Sequence, residues 1–206
     1  QKVASDLREL LQGTNLVRSR SDNNYQTHKL GSGKMFSGKV QENYSVRCVP
    51  QVLGPIVDSI NFSKKVVEDE INSANDNLIV DFQSEQVYHG GNFHGDYISL
   101  EMDKVRIVMT KLSLLQERQL NYLLNSNVNH KFPAFLNDQI LGLNFGLQGA
   151  QFTATSTAAE NQTLSNSMYV HSISCNNDNQ DIVSMGMNSA RLTKQVIDNS
   201  FQVQSI

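Results

Sequence analysis

Between Asp96 and Asn125 the chain contains neither glycine nor proline. These two residues interrupt helices most readily, so a run of this length without them points to one continuous element. Met102, Val105, Val108, Met109, Leu112, Leu115 and Leu123 recur at helical spacing and form a broad apolar stripe. Gln119 interrupts the stripe, with Leu120 one position to the side. The pattern predicts a helix of about 30 residues, about 45 Å long. It ends at Lys131-Phe-Pro133-Ala-Phe135.

The flanking segments read in the same way. Leu141 to about Leu164 predicts a second long helix, rich in Ala, Thr, Gly and Ser, whose small side chains permit close helix contact. A last helix is predicted from about Gln180 through Ala190, Leu192, Val196, Ile197, Phe201 and Val203, with no stop signal before Ile206. Val52, Ile56, Ile60, Val67 and Ile71 predict a helix that starts near Pro50 and Pro55, runs to about Ala74 and is ended by Asn75-Asp-Asn77. Val3, Leu7, Leu10 and Leu11 put residues 1–12 in a further helix. Residues 13–38 show little periodicity and read as a loop, either disordered or a cover over an active site. Leu78–Phe82 and Val87–His89 are predicted to pair as a short β-hairpin, with Ser84-Glu-Gln as its turn, and Gly90-Gly91 allows a tight backbone path after it. The chain is therefore expected to be mostly α.

Composition excludes several classes. The net charge is −3 and there is no basic run, which argues against nucleic acid as a partner. No apolar stretch approaches the roughly 20 residues of a membrane span. Two cysteines 127 positions apart, Cys48 and Cys175, make no disulfide framework and fit a reducing cytoplasm. Asn43, Asn61 and Asn161 head chance glycosylation sequons. Hydrophobic content of 39%, an uncapped last helix and the absence of an initiator Met lead to the expectation of a fragment.

Gln41, Tyr44 and Arg47 stand three residues apart. On a helix they would share one face. That face would offer an amide, a phenol able to move a proton, and a guanidinium fork matched to a carboxylate. An amino-acid substrate suits such a set; the spacing alone more simply describes a solvated helix face. His89 and His94 lack further ligands for a metal. His130 and His171 read as surface or packing residues, and Glu68, Asp69 and Glu70 as a solvated helix face.

Five segments occur in order: Gln41–Pro55, Glu70–Asn77, His89–Gly95, Gly149–Ser156 and Asn176–Gly186. Together they resemble the aromatic amino acid ammonia-lyases that act on histidine, phenylalanine or tyrosine. They are most similar to bacterial tyrosine ammonia-lyases of the flavobacterial type. The resemblance runs along the whole chain. It implies the long helices of a fumarase/aspartase-like central bundle, with residues 1–206 as part of that central helical domain and no second domain. It further implies a homotetramer whose active sites draw on three subunits, and no metal. The expected cofactor is 4-methylidene-imidazol-5-one (MIO), an electrophile cyclised from Ala-Ser-Gly. That triad does not occur here, since Ala4-Ser5 is followed by Asp6. The electrophile and the principal catalytic tyrosine are therefore expected outside this chain.

The resemblance also implies roles. Arg47 matches the arginine that holds the substrate carboxylate. Tyr44 matches a tyrosine beside the electrophile that supports proton transfer, and Gln41 a glutamine that hydrogen-bonds there. Asn77 matches an asparagine near the electrophile's carbonyl, and Phe93 an aromatic that packs on electrophile and substrate. Gln180 stands where histidine ammonia-lyases carry Glu and the phenylalanine and tyrosine enzymes Gln, which disfavours histidine. Asn176 stands where plant phenylalanine enzymes carry Glu and bacterial tyrosine enzymes Asn. Leu78, Ser167 and Ser174 replace prolines common in the family. The implied reaction eliminates ammonia from an aromatic L-amino acid, tyrosine by preference, giving p-coumarate. The alternatives are phenylalanine or histidine as substrate, a 2,3-aminomutase that returns the amine to Cβ, and a non-catalytic helical remnant that only oligomerises.

Overall fold

A computed structural model describes residues 2–17, 27–36 and 39–206. The chain divides into two compact units, residues 1–54 and residues 55–206.

In the first unit, helix α1 (Lys2–Leu10) half-buries Val3 and Leu7. The segment expected to be a loop instead contains a hairpin. Strands β1 (Thr27–Leu30) and β2 (Gly33–Phe36) pair antiparallel, with Thr27 opposite Phe36 and Leu30 opposite Gly33. Gly31, at φ 59°, supplies the left-handed residue that a two-residue hairpin loop requires. Both strands are exposed along their length, so no apolar alternation announces them. The Gly31-Ser32-Gly33 turn is their one sequence signal. The rest of the expected loop region, residues 18–26 and 37–38, lies outside the described residues. A single helical turn, α2 (Tyr44–Arg47), then precedes α3 (Val49–Ile71). Pro50 sits in the first turn of α3, where its missing N–H costs nothing, while Pro55 is interior.

The second unit begins within α3. Strands β3 (Ile79–Asp81) and β4 (Gln86–Tyr88) form the expected hairpin. Asp81 organises its turn by accepting from the Gln83 N–H at 2.9 Å and the Ser84 hydroxyl at 2.5 Å. Helix α4 (Asp96–Leu124) is the long element that the sequence predicts. A short turn, α5 (Ser126–Asn129), follows it. Asn129 fastens that end. Its amide nitrogen lies within 3.1 Å of the carbonyls of Tyr122, Leu123 and Asn125, and its oxygen accepts from the N–H groups of Lys131 and Phe132.

Helices α6 (Gln148–Leu164) and α7 (Gly186–Gln204) start later than their periodicity predicts. Residues 141–147 are not helical. Gly142 and Gly146 take positive φ, and the Leu147 N–H donates back to the Phe135 carbonyl at 3.0 Å. Before α7, Asn176, Asn177, Asp178 and Met185 all take positive φ, so residues 180–185 form a loop rather than the predicted first turns.

Helices α4, α6 and α7 pack on one another. The apolar stripe expected on α4 is not its most buried face. Of that set only Leu115 is buried; Met102, Val105, Val108, Met109 and Leu112 are half-buried, and Leu123 is exposed. The buried face of α4 includes Ser99, Asp103, Arg106, Thr110 and Ser113. Facing helices contribute Ala154, Thr157, Ala158 and Asn161 from α6, and Ser189, Thr193, Val196, Ser200 and Val203 from α7. Small side chains let the backbones approach, and their hydroxyls then find carbonyls on the neighbouring helix. The Thr193 hydroxyl donates to the Met102 carbonyl at 2.7 Å, and the Thr110 hydroxyl lies 3.3 Å from the Asn161 carbonyl. Buried polar groups are tolerable only when paired in this way.

Candidate active site

In the first unit, Tyr44 and Arg47 sit on one helical turn, and the Arg47 guanidinium lies 4.5 Å from the centroid of the Tyr44 ring. Both are exposed, Tyr44 at 69%. Gln41 does not join them on that face. The helix begins only at Tyr44, Asn43 before it is extended (φ −61°, ψ 156°), and Gln41 lies in a bend upstream. The three-residue spacing has a helical meaning only where the backbone is helical. The expected common face therefore reduces to Tyr44 and Arg47.

In the second unit, three matched segments are tied to one another. The Asn77 side-chain oxygen accepts from the Gly90 N–H at 3.2 Å, which fastens the end of the α3 segment to the glycine turn. The Asn77–Leu78 peptide bond is cis. Asn92 adds a second link, donating to the Ala74 carbonyl at 3.3 Å. Phe93 follows and is 51% exposed, so its ring is available to a ligand. The next residue, His94, lies 3.1 Å through Nε2 from the Ile182 carbonyl and 3.3 Å through Nδ1 from the Asp96 carboxylate. A cleft of about 410 Å³ lies on this segment, lined among others by Glu70, Ala74, Asn75, Gly91, His94 and Gly95.

Asn176 and Gln180 share one closed turn. Cys175 and Gln180 exchange backbone hydrogen bonds of 3.1 and 3.3 Å, and the Cys175 thiol lies 3.3 Å from the Gln180 side-chain oxygen. Ser174 donates to Asp178 at 2.6 Å inside the turn. Asp103 anchors the stretch that leads into it. One carboxylate oxygen accepts from the Ser167 hydroxyl and from the N–H groups of Met168 and Tyr169, at 2.7, 2.7 and 2.9 Å. The other accepts from the Ser189 hydroxyl and from Arg106, each at 2.5 Å. Burial pushes the Asp103 pKa up. The hydrogen bonds from Ser189, Tyr169 and Ser167 and the Arg106 charge outweigh it, and hold the carboxyl below its ordinary range. Arg106 also donates to the Asn166 carbonyl at 2.8 Å, so the pair grips both sides of the turn after α6.

Asp103, Arg106 and His94 were not among the sequence-predicted site residues. A charged pair set three apart within an apolar helix was the available signal for the first two. Nothing in the sequence marks the Ile182 carbonyl as the partner of His94. Among the described residues, no group of three His, Cys, Asp or Glu is placed to hold a metal ion. No described helix is long and apolar enough to cross a membrane.

The fold and the ordered site segments define a helical scaffold, and comparison with known proteins gives the family. The family profile described as "Aromatic amino acid lyase" matches residues 1–206. The chain belongs to this family. It is 43% identical over 161 residues to a tyrosine ammonia-lyase of Cupriavidus metallidurans, covering 78% of this chain and 30% of that protein. It is 39% identical over 201 residues to a tyrosine 2,3-aminomutase of Chondromyces crocatus, covering 96% and 38%. The crystal structure of tyrosine aminomutase from Streptomyces globisporus superposes with a TM-score of 0.80 at 36% identity, covering 98% and 36%. The chain thus spans well under half the length of these relatives.

Proposed function

We propose that the chain is part of the central helical domain of an enzyme that eliminates ammonia from an aromatic L-amino acid, tyrosine by preference, to give p-coumarate. The observation that carries this reading is the closed turn of Asn176 and Gln180. It offers neutral amides where an imidazole-bearing substrate would call for a carboxylate, and amides suit a phenol as donors and acceptors. Family membership and a tyrosine-acting relative support the same class of substrate.

Each residue has a role in this reading. Arg47 binds the substrate carboxylate through its fork. Tyr44, carried on the same helical turn, assists proton movement at the substrate. Gln41 hydrogen-bonds beside the electrophile from the bend before that turn. Phe93 packs on the aromatic ring, while Asn176 and Gln180 meet its far end. The donor chemistry of Asn77 fits the MIO group. Its oxygen is taken by the Gly90 N–H, which leaves its NH₂ to donate to a carbonyl. MIO, when bound, supplies the electron-withdrawing partner that makes amine departure and β-proton loss feasible. It is formed from residues outside these 206, so the isolated chain is inactive in this reading. The complete enzyme is a cytoplasmic homotetramer with shared sites.

A second reading is favoured by the tyrosine 2,3-aminomutase likeness over 96% of the chain. One experiment separates the readings. The full-length protein is incubated with L-tyrosine, L-phenylalanine or L-histidine, and products are resolved by chromatography with an ammonia assay. p-Coumarate with equimolar ammonia supports the lyase. β-Tyrosine transfers the assignment to an aminomutase, a histidine product overturns the reading of Gln180, and no turnover of any substrate favours the non-catalytic remnant.

A further inference from the structure

We propose that His94 is a positioning residue that fastens the Gln180 turn to the Phe93 segment, and so sets how firmly the aromatic end of the substrate is held. The kinetic part of this inference rests on the function proposed above. Every residue from Tyr169 to Ile182 is exposed, and the segment has no regular secondary structure beyond the Cys175–Gln180 bridge. Among the described residues its hydrogen bonds are largely internal: Ser174 to Asp178, Cys175 to Gln180, and the Val183 N–H to the Ser172 hydroxyl at 2.9 Å. Such bonds shape a turn without placing it. Asp103 places the stretch at 167–169, and α7 takes over at Gly186. Between these points, the contact of His94 with the Ile182 carbonyl reaches across 88 positions to another element.

The imidazole is held for this task. The His94 N–H donates to the Gly91 carbonyl at 2.9 Å, which closes the turn around Phe93. Gly95, at φ 74°, then admits the chain into α4, and Asp96 in its first turn faces Nδ1. Asp96 and the Ile182 carbonyl are both acceptors. A ring with one N–H can donate to one of them; a ring with two donates to both. Phe93 precedes His94, and Gln180 lies two residues before Ile182. One side chain therefore couples the residue that packs on the substrate ring to the residue that meets its far end. The His94 side chain is 33% exposed, so its replacement removes the clamp without opening a core.

The test uses the full-length protein with His94→Ala, His94→Gln, Gln180→Ala and the double variant of His94 and Gln180. Amide hydrogen exchange is read by mass spectrometry over 172–183, together with the steady-state kinetics and the melting temperature. Loss of one hydrogen bond is expected to raise KM for the aromatic amino acid about fivefold in His94→Ala. kcat should change by less than about twofold and the melting temperature little. Exchange at Cys175, Gln180 and Val183 should quicken several-fold. His94→Gln, which keeps an N–H donor, should recover part of both effects. In the Gln180→Ala background, His94→Ala should have no further effect on KM, because it acts through Gln180. Unchanged exchange in His94→Ala, or KM effects that add independently, overturns the inference. If the wild type turns over no aromatic amino acid, the functional reading fails, while the exchange data still decide whether His94 places the turn.

Discussion

Arg47 stacks over the ring of Tyr44, its guanidinium carbon 4.5 Å from the ring centroid. Both side chains leave the same helical turn, so their mutual placement is local and depends on little else. The stack orients the guanidinium plane, and a cation over a phenol ring at an exposed position is worth about 0.5–1 kcal/mol.

Arg47→Lys keeps the charge but loses the planar fork. In the full-length protein it is expected to raise KM for the aromatic amino acid at least about tenfold, since hydrogen bonds to charged groups are worth about 1.5–3 kcal/mol. Steady-state kinetics on the purified variant check this, and wild-type values would remove Arg47 from the site.

Tyr44→Phe preserves the ring beneath Arg47 and deletes only the hydroxyl. A proton-transfer role predicts a fall in kcat of about 10²-fold or more, with KM nearly unchanged. Wild-type kinetics would mean that Tyr44 serves only as the ring beneath Arg47.

Asp103 is the most connected carboxylate in the second unit, and its neighbours include the fully buried Arg106. Asp103→Ala leaves that guanidinium without its counter-charge and should cost about 3–5 kcal/mol in urea unfolding. Lys194→Ala removes an exposed pair with Asp198 and should cost less than about 1 kcal/mol. Similar losses for the two variants would contradict the packing described here.

The same carboxyl predicts a pH dependence. Its folded pKa lies below the unfolded value, so its contribution is complete above the ordinary Asp range, about 3.9. The contribution fades as pH falls through the lower folded value. Urea midpoints measured from pH 5 down to pH 2 should therefore fall more steeply for the wild type than for Asp103→Asn. Parallel curves would show that Asp103 is not held below its ordinary range.

Gly146 takes φ 52°, and a Cβ built there would lie 2.4 Å from the Phe135 carbonyl oxygen. That oxygen also accepts the Leu147 N–H, so it cannot readily withdraw. Gly146→Ala is expected to destabilise by more than about 1 kcal/mol. Gly149→Ala, in open space in the first turn of α6, should leave stability unchanged or raise it by up to about 1 kcal/mol. Thermal or urea unfolding of the two variants makes the comparison.

The long helix α4 was legible because a glycine- and proline-free run with helical spacing has few other solutions. It starts at Asp96 as expected and spans the Gly- and Pro-free run, ending at Leu124 before Lys131 is reached. The β3–β4 hairpin was equally legible from its apolar runs and intervening turn. The starts of α6 and α7 were not, because the apolar residues of 141–147 and 180–185 mimic helical spacing while the backbone there takes positive φ. The β1–β2 hairpin escaped notice because four-residue, fully exposed strands carry no alternation to read. Of the candidate site, Arg47 and Tyr44 were legible as neighbours, and Gln41 was misplaced by one assumption about the backbone.

By itself, the sequence determined the helical class, the order of the site segments and the family, since these are properties of local spacing and residue type. Tertiary structure alone decided which face of α4 is buried. Hydropathy marks Met102, Val105 and Met109, but close packing against the small residues of α6 and α7 buries Ser99, Asp103 and Arg106 more deeply. It also decided that Asn77 meets Gly90, that Asp103 grips Ser167–Tyr169, and that His94 reaches Ile182. Those bonds join residues 13 to 88 positions apart. A hydrogen bond depends on where two backbones arrive in space, and the spacing of residues along one chain carries no record of that.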